Sequence, residues 1–246
     1  MQDVMNRTHD RIEQQRRIFD NLGVNLRVAA PGIIHDVDFE RQTCTVQLAI
    51  REKLRDNEGN IKDVEIPLLP DVPFFVYSGG GYCLTLPIAP GDDCLVVFGD
   101  NCMDAWWQSG GVQNQVERRR HDLSDGFAIV GFRSQPDVVS NYSPGTAQMR
   151  NRAGDAYVEI SGNTINIKAA GGVNIESGSS VSVSSASDMT IASSAALNMS
   201  STAGSSFAGS DISIGSGGNT VIDGKNFLGH VHTGVQPGGE NTGGVA

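Results

Sequence analysis

Apolar side chains recur along residues 158–224 in pairs separated by one residue. The series runs Val158/Ile160, Ile165/Ile167, Val173/Ile175, Val181/Val183, Met189/Ile191, Leu197/Met199, the single Phe207, Ile212/Ile214 and Ile222. Successive pairs up to Leu197 are seven and then eight residues apart. Because an i, i+2 pair places both side chains on one face of a strand, the repeat predicts short strands joined by turns. The Ser-, Gly- and Ala-rich composition is typical of a flexible linker, but a linker would not keep this register.

Each repeat carries too few apolar side chains to enclose a core by itself. A single-chain β-solenoid would bury the pairs within one coil, but a complete coil needs more than one unit of this length. Alternatively, three chains wind about one axis, and each contributes one wall of a prism. Charge is sparse between residues 161 and 220, where only Lys168, Glu176, Asp188 and Asp211 are charged. Small, uncharged outward residues favour the trimeric, triple-stranded β-helix.

Residues 24–132 show a different pattern, in which short Val-, Ile- and Leu-rich runs alternate with turn residues. The predicted strands are Gly32–Val37, Cys44–Ile50, Val64–Leu69, Cys83–Pro87, Cys94–Phe98 and Phe127–Phe132. Turn signals such as residues 56–60 and 90–93 separate them. This number of strands in about 110 residues suits a small OB-fold-like barrel. Trp106 and Trp107 are expected to pack against the barrel or a neighbour, with base stacking as the alternative.

The predicted class is all-β with a short N-terminal helix. Met5, Ile12 and Phe19 lie seven residues apart, and Gly23 supplies a stop signal, so residues 2–22 read as a helix. The predicted organisation is an N-terminal helix at 1–23, an OB-fold-like domain at 24–135, a connector at 136–157, a triple-stranded β-helix shaft at 158–224 and a metal-binding tip at 225–246.

The net charge of −10 disfavours nucleic acid as a partner, since such binding depends on Lys and Arg facing phosphates. The basic run Arg118–Arg120 is expected to be a solvated loop. No apolar run approaches the length that spans a bilayer, and the charged N-terminus lacks an apolar signal region. We therefore expect the chain to be made and assembled in the bacterial cytoplasm. The spacing of the four cysteines matches no zinc motif, so we expect them to be buried thiols.

Two of the five histidines, His230 and His232, stand together near the end of the sequence. On an extended strand both imidazoles point to the same side. One chain offers only two ligands here, whereas threefold symmetry brings six imidazoles to the axis, which suits an octahedral ion better than tetrahedral zinc. The pattern predicts one Fe ion per trimer on the threefold axis, and two surface histidines are the alternative.

The barrel, the octad repeat and the terminal Gly229-His230-Val231-His232-Thr233-Gly234 together resemble the central spike protein of contractile-tailed bacteriophages, the membrane-piercing tip of the baseplate. The resemblance implies a homotrimer whose chains taper to an apex where His230 and His232 bind a buried iron. It implies that the N-terminal and OB-like regions contact the tail hub protein. It also implies that the tip touches the host outer membrane transiently and mechanically, and that the protein belongs to the virion.

Three other functions are alternatives to a phage spike. An enzyme built on the His-x-His needs further ligands downstream, and the only ionisable side chain after His232 is Glu240. Neither a nucleophile elbow nor a phosphate-binding loop appears, so we expect no catalysis. A trimeric adhesin that binds glycans would need exposed aromatic residues, and the shaft has only Phe207 after Tyr157. The spike tip of a related injection or secretion system is the remaining alternative.

Overall fold

The computed structural model describes residues 11–19, 23, 26–214, 220–222 and 225–226. The chain divides into two units, Met1–Ile175 and Glu176–Ala246. The structure has one longer helix, α1, at residues 11–19, whose residues are all exposed. The rest of the predicted helix, residues 2–10 and 20–22, lies outside the described residues. No helix in the described part of the chain combines the length and apolar character needed to cross a membrane.

Strands dominate the described chain. They are β1 Ala29–Asp38, β2 Thr43–Leu48, β3 Glu52–Arg55, β4 Ile61–Val64, β5 Leu69–Pro73, β6 Tyr77–Gly79, β7 Tyr82–Leu84, β8 Asp93–Phe98, β9 Gly126–Val130, β10 Ala147–Arg150, β11 Tyr157–Ser161, β12 Thr164–Lys168, β13 Val221–Ile222 and β14 Lys225–Asn226. A short helix, α2, spans Asp104–Ser109, and 3-10 turns span Leu123–Asp125 and Gln135–Asp137. The predicted all-β class is confirmed.

Five strands form a curled antiparallel sheet in the order β5-β2-β1-β8-β9. Among the strands of this sheet, β1, β2 and β5 follow one another in the chain and lie side by side, and β8 returns to lie beside β1. This order is a Greek key. The sheet curls far enough for its edges to approach, where the Phe75 amide donates to the Ala128 carbonyl over 2.8 Å. The bridge between Phe74 and Ala128 is parallel, as alternating directions across five strands require. This arrangement agrees with the predicted OB-fold-like barrel.

The core of this sheet follows the two-residue period of its strands. On β2 and β8 alternate side chains are buried, including Val46 and Val96, which are fully enclosed with Ile34 and Ala128. Gly32 on β1 lies under this layer, and a Cβ there would sit 2.6 Å from Cγ1 of Val46. A glycine is therefore required where the strand passes closest to the core.

Two of the predicted strands that differ from the observed ones contain a proline. The predicted strand Val64–Leu69 does not form, because β4 ends at Val64 and β5 begins at Leu69. Pro67 lies in this gap and has no amide to donate to a ladder. The predicted strand Cys83–Pro87 is likewise only the short β7, which ends before Pro87.

The predicted turn at residues 56–60 forms and closes the β3–β4 hairpin. One carboxylate oxygen of Asp56 accepts hydrogen bonds from the amides of Glu58 and Asn60, at 3.0 and 2.9 Å. These bonds favour the ionised carboxylate and lower the pKa of Asp56, with the Asn60 amide as the largest cause. Gly59 adopts a φ of 88°, which its lack of a Cβ permits.

Three of the four cysteines are buried as expected, and none forms a disulfide. Burial raises the pKa of the Cys44 thiol to about 12 and that of Cys94 to about 11. The expectation is wrong for Cys83, which is exposed. Cys83 lies on β7, whose three residues are all exposed, so the core does not cover it.

A second sheet joins β10, β11 and β12 in sequence as an antiparallel meander. Its central rows align Met149 with Val158 and Val158 with Ile167. The β11–β12 loop is the two-residue Gly162-Asn163, where Gly162 has a φ of 57°. Strand β10 lies within residues 136–157, predicted as a connector. The domain boundaries themselves remain predictions.

Candidate functional site

Four serines mark turns at intervals of eight residues in the second unit. They are Ser177, Ser185, Ser193 and Ser201. The hydroxyl of Ser185 accepts from the Ser187 amide at 3.4 Å and donates to the Asp188 carbonyl at 3.2 Å. The same two bonds occur at Ser177 and Ser193, while Ser201 accepts from the Ala203 and Gly204 amides. A hydroxyl that satisfies a nearby amide and carbonyl stabilises a tight turn, so the turns keep the octad period that the sequence predicted.

The apolar pairs between these turns are exposed in the single chain. Val181 and Val183 are 59% and 73% exposed, and Ile191 is 65% exposed. All residues from 176 to 214 are exposed in the single chain. Large apolar side chains repeated at this density do not remain in water in a stable protein. This unit therefore presents a candidate assembly surface.

The backbone of the same segment has no pairing partner among the residues that the structure describes. Across residues 176–214 no strand or helix occurs, and no backbone amide donates to a backbone carbonyl. Extended backbone needs partners for its amides and carbonyls once it is removed from water. The described residues supply regular turns and apolar faces here but no strand partners.

The predicted metal ligands His230 and His232 lie outside the described residues. Within the described part, one group has the composition of a metal site, namely Cys102, Asp104 and Asp125. The guanidinium of Arg119 occupies this position, with bonds of 2.6 Å to Asp104 and of 2.7 and 3.0 Å to Asp125. Arg119 accordingly lowers the pKa of Asp104. The group is an internal ion-pair network rather than a cation site.

The sequence did not predict this network. The run Arg118–Arg120 was expected to be a solvated loop, and Arg118 and Arg120 are exposed. Arg119 is the exception, since only 18% of its side chain is exposed, whereas Asp125 is fully buried. No local pattern distinguishes the middle arginine from its neighbours. Only the fold brings Asp104 and Asp125 to it.

Trp106 on α2 packs against the barrel as expected, with its ring 5.9 Å from that of Phe127 on β9. On the barrel a cleft of about 630 Å³ is lined by aromatic and aliphatic side chains, including Phe39, Phe75, Tyr77 and Leu84. Phe75 and Tyr77 stack edge to face at 6.0 Å, and both are more than half exposed. The barrel thus offers an apolar surface for a partner.

Residues 30–131 match the family model described as the Phage protein Gp138 N-terminal domain. The match covers less than half of the 246 residues and spans the five-stranded sheet almost completely. It supports a phage structural protein and, with it, a component of the virion. No curated protein shows a significant match to the chain.

Proposed function

We propose that this chain forms the trimeric central spike of a contractile phage tail baseplate and pierces the host outer membrane mechanically. The observation that carries the proposal is the second unit, where turns repeat every eight residues while the apolar pairs between them stay exposed. Three such chains wound together would bury the pairs on one axis and pair each backbone with the next. The phage family match at residues 30–131 favours a phage particle over a secretion-system spike.

The proposed action follows from the physical properties of such a shaft. A piercing tip must be narrow, resist bending and keep its end from unravelling. Interwound strands would pair every backbone group along the shaft and leave no open sheet edge. Outward Ser, Gly and Ala residues would expose little apolar surface for lipid to adhere to. We assign the barrel, with its apolar cleft beside Phe75 and Tyr77, to the contact with the tail hub.

The first test is the native mass of the full chain, measured by light scattering. We expect a homotrimer, and Val183→Asp should make this trimer dissociate on dilution at much higher chain concentrations than wild type, because each buried valine contributes roughly 1.5–3 kcal/mol and three carboxylates would meet on the axis. Ser182→Asp is the matched control, since residue 182 lies on the opposite face of the same strand. Its trimer should persist. A wild-type mass of one or two chains would refute the proposal.

The second test concerns iron at the tip. We propose that His230 and His232 of the three chains hold one Fe ion, which would tie three frayable ends together. Elemental analysis of the purified protein should give about one iron for every three chains. Replacing both histidines with alanine should remove the metal and lower infectivity while leaving the native mass trimeric. A full ion per chain would contradict the axial site and favour a site within one chain.

Localisation tests the phage assignment separately. Antibody raised against the barrel should label the baseplate end of intact virions in electron micrographs. Label along a lateral fibre would instead support the adhesin.

A further inference from the structure

The meander β10–β11–β12 has two chemically distinct faces. Its register places one set of side chains on a common face, and all of them are apolar: Ala147, Met149, Val158, Ile160, Ile165 and Ile167. The large members of this set are 40% to 67% exposed. This apolar face carries no charged side chain, and no described residue buries its large side chains.

The opposite face is polar and internally bonded. Gln148, Glu159 and Asn166 lie in one row across the three strands. The Glu159 carboxylate accepts hydrogen bonds from Gln148, from Asn166 at 3.1 Å and from Thr146 at 3.1 Å. These bonds favour the ionised form and lower the pKa of Glu159, with Gln148 as the largest cause. Hydrogen bonds within this row link the three strands, and the Glu159 charge favours exposure of this face to water.

Each strand of the meander pairs with a neighbouring strand of the same chain, in contrast to the octad repeats. All three strands find backbone partners between residues 147 and 168, whereas residues 176–214 have none among the residues that the structure describes. The meander can therefore fold before association. The repeats need strands from other chains.

We propose that the apolar face of the meander is the surface on which three copies of the chain first associate, and that the repeats wind together afterwards. The inference rests on the proposed trimer. Further copies of this chain are the fitting occupant, because Val158/Ile160 and Ile165/Ile167 are the first two pairs of the same series that continues through the repeats. Three uncharged faces can meet without burying a charge.

The order of events follows from conformational entropy. Joining three preformed meanders orders only side chains at the contact, whereas pairing the repeats first would order unpaired backbone from three chains at once. Contacts that are already close in sequence form faster than those that must be assembled from separate segments. Association through the meander then holds the repeats of three chains side by side.

The experiment follows refolding of the full chain from denaturant by light scattering and amide hydrogen exchange. Ile165→Glu should slow association at least tenfold or leave single chains. Thr164→Glu adds the same charge to the adjacent residue on the polar face and should assemble at the wild-type rate. Ile191→Glu, in a later repeat, should still give trimers, with protected amides in the meander and unprotected amides from residue 189 onward.

Three results separate the possible explanations. If Ile165→Glu associates as fast as Thr164→Glu, or if Ile191→Glu blocks association as fully as Ile165→Glu, the meander does not initiate assembly although the trimer stands. A wild-type protein that never exceeds the mass of one chain refutes the proposed function itself.

If Ile165→Glu loses amide protection within the meander, Ile165→Thr, which keeps a β-branched side chain suited to a strand, should still associate more slowly than wild type. Equal rates would overturn the inference.

Discussion

Asp125 is a fully buried carboxylate whose charge is balanced by Arg119 and by the amide of Met103. Arg119 also reaches Asp104 at 2.6 Å, so one guanidinium forms ion pairs with both carboxylates. A buried charge is tolerated when its partner and hydrogen bonds are all present. The network thereby fastens the loop before β9 to the start of α2, and it explains why only the middle residue of the basic run points inward.

Arg119→Met should destabilise the barrel by about 3 kcal/mol, because it leaves Asp125 buried without its countercharge. Arg120→Met is the matched control, since Arg120 is largely exposed and pairs only with Asp100. It should change stability by less than about 1 kcal/mol. Urea unfolding followed by tryptophan fluorescence would measure both, as Trp106 lies against Phe127. Equal losses of unfolding free energy in the two variants would show that the Arg119 network stabilises the barrel no more than an exposed ion pair does.

At the scale of elements, the serine turns separate the successive apolar pairs of the repeat. Each turn hydroxyl occupies the same place in its octad and bonds the backbone two and three residues ahead. Among the described residues these short-range bonds are the hydrogen bonds that recur with the eight-residue period. The repeat is therefore set locally before any neighbour arrives.

Ser185→Ala should weaken the assembled shaft by about 1 kcal/mol in each chain, because an amide and a carbonyl lose their partner. Across three copies the loss would be about 3 kcal/mol, which the rate of unfolding in guanidinium should report as a marked acceleration. Ser182→Ala removes a hydroxyl from the middle of the same octad and should unfold at the wild-type rate. Acceleration of similar size in both variants would argue against a special role for the turn serine.

For the whole molecule, the two units differ in how much apolar core they bury within the described chain. The barrel has its own buried core around Val46 and Val96, whereas the repeats bury none of their apolar pairs within the described chain. If three chains supply the missing core, assembly and folding of the repeats are one event. Stability then depends on chain concentration.

We therefore expect the midpoint of shaft unfolding to rise as the chain concentration is raised, and unfolding to be slow. Hydrogen exchange resolved by segment would separate the two units. Barrel amides provide the internal control, since their protection should not change with concentration. Protection of residues 176–214 that is independent of concentration would contradict the shared core.

Much of the fold could be predicted from local patterns. The Val-, Ile- and Leu-rich runs between turn signals identified β1, β2, β8 and β9, because strand-forming and turn-forming residues can be recognised from the order of residues alone. The interruption between β4 and β5 at Pro67 was missed because Val64 to Leu69 is a mostly apolar run, which predicts a strand. The prediction gave too little importance to the amide hydrogen that Pro67 lacks. The strand β10 was missed because its four residues carry only one large apolar side chain, Met149.

By itself the sequence determined the octad period, the all-β class and the position of the His230/His232 pair, since each is a matter of residue type and spacing. The tertiary structure alone decided which arginine turns inward, that the β5 and β9 edges meet at Ala128, and that the strands from 147 to 168 pair within one chain. These features join residues far apart in sequence or depend on backbone pairing. Spacing cannot encode them, because the choice among several partners is made by the energy of the folded chain as a whole.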